Sequence, residues 1–261
     1  MNTNLLGIVA AALSVAAFAL SYTLLRRQTM GVRSSFFYGF ALLAIPSVLF
    51  AVYYLHILPE SAWFYNLRSW RGSELLVIFL GCATGTIASI LPRVLLVLPL
   101  CVLIVLAMVP YAKPLLGPLA DSDLKERWQG NVCLQSTSST CGPASVCTIL
   151  RHLGSDASER EAARAAFTSA SGTEAWYLAR YVRGKGLLAR FDFRRTFSLS
   201  AGLPAVVGVR IGGAGHFIAV LEVNGDQVTF ADPLIGGERL SVSQFQKRYD
   251  PTGFRMVITK P

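Results

Sequence analysis

The 261-residue chain is 53% hydrophobic and 15% charged, with a formal net charge of +9. That apolar fraction is more than a water-soluble globule carries, and it is gathered before residue 113, which excludes a wholly soluble protein. Residues 1–120 hold seven basic and two acidic side chains and residues 121–261 hold seventeen and thirteen, a mild excess that fits anionic lipid headgroups better than nucleic acid.

The first element is the uninterrupted apolar run Leu5 to Leu25, long enough for one helix to cross a bilayer. Its charge follows it, at Arg26 and Arg27, rather than preceding it, so it reads as a retained helix and not a cleaved signal peptide. Phe36 to Leu58 is a second span with Pro46 inside it. Residues 59–74 form a polar, aromatic loop whose Trp63, Tyr65 and Trp70 suit the headgroup zone. Leu75 to Leu91 and Val94 to Ala112 make a third and a fourth span, split by Pro92 and Arg93 into a tight hairpin or a single kinked helix. Gly81 and Gly85 offer a close helix contact. No acidic residue lies deep in a span, which argues against an ion-coupled transporter. These features give an α-helical transmembrane bundle of about four spans over residues 1–115.

Pro114, Gly117 and Pro118 then break the helical pattern, and residues 116–130 read as a linker. Over 131–261 the pattern is helices first and strands afterwards. Helices are expected from Cys141 to Leu153, from Ser158 to about Phe167, and from Thr173 to about Lys185. Short β-type runs follow at Leu187–Phe193, Ala205–Val209, His216–Glu222, Gln227–Ala231 and Arg255–Thr259, with a turn at Asn224-Gly225 and a short helix over Ser241–Tyr249. That order is an α+β domain, helices then antiparallel sheet. The basic residues Arg180, Arg183, Lys185, Arg190, Arg194 and Arg195 cluster without interleaved aromatics, and read as a solvated or lipid-facing surface.

The chemistry gathers at Gln135-Ser136-Thr137-Ser138-Ser139-Thr140-Cys141-Gly142-Pro143-Ala144. Cys141 stands at a helix N-terminus, where unpaired N–H groups favour thiolate over thiol. Gln135, six residues upstream, supplies a side-chain amide that completes an oxyanion hole with the Cys141 N–H. A thiol needs a base, and the chain has three histidines. His56 lies in an apolar run, and His152 is eleven residues along the same helix, roughly 16 Å away. His216 remains, on a strand introduced by glycines, and Asp232, before Pro233 at the end of the next strand, is placed to orient its imidazole.

Gln135, Cys141-Gly142-Pro143-Ala144, His216 on a strand and Asp232-Pro233 closing the next together resemble the bacteriocin-processing, double-glycine leader peptidases, a papain-like group. The resemblance spans about Asn131 to Pro261. It implies a cysteine peptidase with Cys141 as nucleophile, His216 as general base, Asp232 as orienting acid and Gln135 as oxyanion donor. Thr140 stands where many exporter-fused members have aspartate, which weakens any transfer of leader specificity.

No cofactor or metal is implied, since no two cysteines form a C-x-x-C pair. Cys133 and Cys147 either pair, if the domain faces an oxidising compartment, or pack as buried thiols. No P-loop sequence is present, so the expected partners are a peptide or protein precursor, the lipid bilayer and a separate export machinery, with no nucleic acid. The arginines following the first span put the N-terminus outside, and four spans return the peptidase domain to the extracytoplasmic side of a bacterial inner membrane. The function expected is precursor cleavage. The alternative is an inactive peptidase-like domain that binds a leader peptide or exported substrate for a transporter.

Overall fold

The computed structural model describes residues 3–194 and 202–261; Arg195, the last of the basic cluster, lies outside them. Helices α1 (Leu5–Leu25) and α2 (Met30–Tyr54) precede a short α3 (Ala62–Arg68), then α4 (Val77–Ile90), α5 (Val97–Met108) and a last turn α6 (Ala112–Leu116). Among the described residues four segments are long and apolar enough to cross a membrane: Leu5–Leu25, Met30–Tyr54, Ser73–Ile90 and Arg93–Leu116. The chain divides into two compact units, one of Thr3–Pro59 with Arg71–Ala112, the other built on Glu60–Trp70 with Lys113–Pro261.

In the helical unit, α4 crosses α1 at small residues. A Cβ on Gly81 would stand 2.0 Å from the Ser14 carbonyl oxygen, and one on Gly85 2.3 Å from that of Phe18, so only glycine allows the approach. Helix α2 begins six residues before the apolar run does. Arg33, in the first turn of α2, donates its guanidinium to the carbonyls of Arg26, Gln28 and Ser89 and so satisfies the C-terminal ends of α1 and α4. Leu91 and Pro92 are extended, with ψ of 154° and 147°, and α4 and α5 pack on each other, so the third and fourth spans form a hairpin.

The second unit has the expected α+β order. A small hairpin, β1 (Arg127–Gln129) and β2 (Val132–Leu134), leads to α7 (Cys141–His152), α8 (Glu159–Ala165) and α9 (Ala175–Gly184). Then come β3 (Leu188–Phe193), β4 (Ala205–Ile211), β5 (Ala214–Asn224), β6 (Gln227–Asp232), β7 (Gly236–Ser241), α10 (Val242–Tyr249) and β8 (Pro251–Thr259). These six strands form one antiparallel sheet in the order β3-β8-β4-β5-β6-β7. Alternate residues point to opposite faces. Val207, Val209, Ile218, Val220, Val228 and Phe230 meet Phe245 and Tyr249 of α10 in one core, and the same two-residue period carries His216 and Asp232 onto that face. Helix α7 rests against Phe217, whose side chain points the other way.

Two parts of this unit depart from the sequence reading. The stretch 116–130 packs on the domain: Gly117 lies against Ala170, Pro118 bridges to Ser169, Asp121 pairs with Arg164, and 127–134 is a hairpin. The aromatic loop is in part a helix whose rings enter the domain core. Phe64 and Tyr65 are buried, and the Tyr65 ring lies 5.1 to 5.9 Å from those of Trp176, Phe191, Phe193 and Phe254. Trp63 and Trp70 stay exposed. Two arginines of the basic cluster serve this docking: Arg180 donates to the Arg68 carbonyl at 2.8 Å and Arg183 to Ser69 Oγ at 2.6 Å.

Candidate active site

The loop before α7 is shaped by its own hydroxyls. Thr137 N–H donates to Thr140 Oγ1 at 3.0 Å, and Thr140 Oγ1 donates to the Thr137 carbonyl at 3.1 Å, which closes a turn that hands the chain to the helix at Cys141. The thiol therefore sits at the positive end of the helix dipole and is partly exposed. Gly142 follows where the packing is close. A Cβ there would stand 2.9 Å from Leu178 Cδ1 and 3.3 Å from the Phe217 ring. One turn later Ser145 Oγ donates to the Phe217 carbonyl at 3.1 Å, fixing the helix to the strand that carries His216.

Cys141, His216 and Asp232 meet. His216 Nε2 is 2.8 Å from Asp232 Oδ1, and the Cys141 thiol is near enough to the imidazole to raise its affinity for a proton. Burial alone would lower the imidazole's affinity for a proton, but the Asp232 carboxylate and the Cys141 sulfur outweigh it and raise His216 to about 9. Burial would likewise raise Asp232. The donors around it prevail and hold the carboxyl below the usual carboxylate range: His216, the Leu234 N–H at 2.9 Å and the Tyr249 hydroxyl at 2.9 Å. The other two histidines are exposed, His152 at the far end of α7 and His56 in the helical unit.

Gln135 is brought to the same loop, with its backbone N–H on the Pro233 carbonyl at 2.9 Å, directly beyond Asp232. Its Nε2 donates to the Thr137 carbonyl at 2.8 Å, and its Oε1 is buried with no partner among the described residues. The neighbouring Ser136 donates its N–H, at 2.7 Å, and its hydroxyl to the fully buried Glu159 carboxylate. Cys133 and Cys147 are buried free thiols. Burial first, and then the adjoining Cys133, push the Cys147 thiol up, so it stays protonated.

The sequence reading missed Ser145, Glu159 and Tyr249. A serine at the first turn of a helix, a glutamate at the start of another and a tyrosine at the end of a third carry no local signal for chemistry. The single hint is the Ser241–Gln244 capping box, which fixes where α10 starts and hence where Tyr249 falls.

Residues 129–261 match the profile of the peptidase C39 family. The chain belongs to the peptidase C39 family. A C39 chain of this kind also resembles an uncharacterized protein of Methanothermobacter marburgensis, 35% identical over 132 residues, which are 48% of this chain and 86% of that protein. A protein described as a probable functional amyloid protease, FapD of Pseudomonas fluorescens, is 30% identical over 131 residues, 47% of this chain and 58% of FapD. The crystal structure of the peptidase domain of Streptococcus ComA is 21% identical, with a TM-score of 0.42 over 49% of this chain and 96% of that one.

Proposed function

We propose that this C39 chain is a membrane-anchored cysteine endopeptidase that cleaves a peptide or protein precursor, with Cys141, His216, Asp232 and Gln135 as its catalytic groups. The observation that carries this is the placement of one imidazole between a carboxylate at 2.8 Å and a thiol at a helix start. His216 Nδ1 takes the thiol proton, and the sulfur attacks the scissile carbonyl carbon. The Cys141 N–H and the Gln135 amide hold the resulting oxyanion. As the C–N bond breaks, the imidazolium returns its proton to the departing amine. Water, deprotonated by the same imidazole, then adds to the thioester and releases the acid product. Every group of this cycle is present, which favours catalysis over an inactive leader-binding domain, as does similarity to a protein described as a protease.

The apolar helices of residues 1–115 anchor the domain in a bacterial inner membrane, with the peptidase unit on the extracytoplasmic side and a separate export machinery as partner. Glu60–Trp70 and Lys113–Pro261 form one unit, so both ends of the α4–α5 hairpin belong on one side, in keeping with four crossings. A reporter fused at Pro261 tests the side. The purified full chain in detergent, given candidate small precursors, tests the chemistry. The expectation is one cleaved precursor and complete loss of cleavage in Cys141→Ala, and persistence of cleavage in Cys141→Ala overturns the reading.

A further inference from the structure

The carboxylate of Asp232 is 2% exposed, and its two oxygens are held differently. Oδ1 accepts from His216 Nε2 at 2.8 Å and from the Leu234 N–H at 2.9 Å, while Oδ2 accepts from the Tyr249 hydroxyl at 2.9 Å. A carboxylate bound only through Oδ1 can still turn about its Cβ–Cγ bond, and a buried oxygen without a donor favours protonation or rotation. The Tyr249 hydroxyl removes both options. Its own position is rigid, because the ring is 1% exposed and lies 5.3 Å from Phe230 and 5.3 Å from Phe245, on a helix whose start is fixed by the Ser241–Gln244 capping box.

We infer that Tyr249 is a positioning residue of the peptidase site, acting through Asp232 Oδ2 to keep Oδ1 ionised and aimed at His216. This rests on the peptidase reading above. The groups facing Asp232 are His216 from β5, with Cys141 of α7 beyond it, the Leu234 N–H from the turn, and Tyr249 from α10. Outside them the Arg248 guanidinium lies 5.2 Å from the Tyr249 ring centre and pairs with Glu238 of β7 at 2.5 Å. The ring's packing and the hydroxyl's bond are separable, since Tyr249→Phe keeps the first and removes only the second.

The test uses the full chain with 13C-labelled histidine, whose three imidazoles are few enough to follow singly by NMR. In Tyr249→Phe the His216 midpoint is expected to move away from about 9 as Asp232 loses its second anchor, with kcat/KM reduced about tenfold through kcat and KM unchanged. In an Asp232→Asn background the same change is expected to have no further effect on either readout, which a general loss of folding would not reproduce. A His216 midpoint equal to that of the unsubstituted protein, or full additivity with Asp232→Asn, overturns the inference. The titration needs no substrate, so a chain that cleaves no precursor yet shows the His216 shift counts against the peptidase reading and leaves only the coupling of Tyr249 to His216 through Asp232 standing.

Discussion

Ser145 donates its hydroxyl to the carbonyl of Phe217 at 3.1 Å, a bond spanning 72 residues that ties the helix opened by Cys141 to the strand that carries His216. The thiol and the imidazole are thus each one short step from a rigid joint. The proposed catalytic geometry depends on how closely α7 approaches β5.

Gly142 sets that approach. In Gly142→Ala the added methyl stands 2.9 Å from Leu178 Cδ1 and 3.3 Å from the Phe217 ring, and because both side chains are packed the helix start is expected to move outward. Overpacking of this kind costs about 1–3 kcal/mol. A shift of about an ångström at Cys141, the proposed nucleophile, is expected to lower kcat by about a hundredfold. Thermal unfolding alongside single-turnover kinetics checks this; a large fall in melting temperature with unchanged kcat in the folded fraction would contradict it.

The His216–Asp232 pair predicts a pH window for stability. His216, raised from 6.5 to about 9 by folding, stabilises fully below pH 6.5, and that contribution is lost as the pH climbs through about 9. Asp232, lowered from 3.8, stabilises above pH 3.8, and its share is lost as the pH falls through its depressed value. The difference in melting temperature between the unsubstituted chain and His216→Gln is expected to be largest between these limits and to shrink by about pH 10. A difference that stays flat across pH 6 to 10 would count against the pair as described.

Glu159 holds the loop of Gln135, the proposed oxyanion donor. Removing its carboxylate in Glu159→Ala leaves the Ser136 N–H and hydroxyl without their acceptor, at a cost of about 1–3 kcal/mol. Because Gln135 is the adjacent residue, kcat is expected to fall while KM is kept, and a peptide aldehyde that mimics the tetrahedral intermediate is expected to bind more weakly. Equal losses of substrate and aldehyde binding would point to general damage instead.

Tyr65 is the ring on which the two pieces of the peptidase unit close. Tyr65→Ala empties a site bounded by Trp176, Phe191, Phe193 and Phe254, and core truncations of this size cost about 3–5 kcal/mol. Limited trypsin digestion of the full chain is expected to cut within 113–261 many times faster in the variant, with Trp63→Ala, at an exposed ring, as the unaffected comparison.

What could be read from the sequence was local. Cys141 before Gly-Pro-Ala, His216 at the head of a strand and Asp232 before proline each carry their chemistry in adjoining residues. The four apolar stretches and the helices-then-strands order follow from periodicity alone. What could not be read depends on partners far along the chain: Glu159 with Ser136 23 residues away, Tyr249 with Asp232 17 away, Arg68 with Tyr177 109 away. Strand β7 escaped for another reason. Its Gly-Gly-Glu-Arg opening offers no apolar–polar alternation and little β-branched or aromatic content, and it lies at the sheet edge.

The insertion of an apolar hairpin between Glu60–Trp70 and Lys113–Pro261 has a consequence for how the chain is made. A nascent polypeptide presents Phe64 and Tyr65 long before the sheet that receives them has been translated, and those rings must wait, uncovered, until the last strand arrives. The domain cannot be excised as one contiguous fragment. A cut at residue 113 would leave its aromatic keystone on the discarded side.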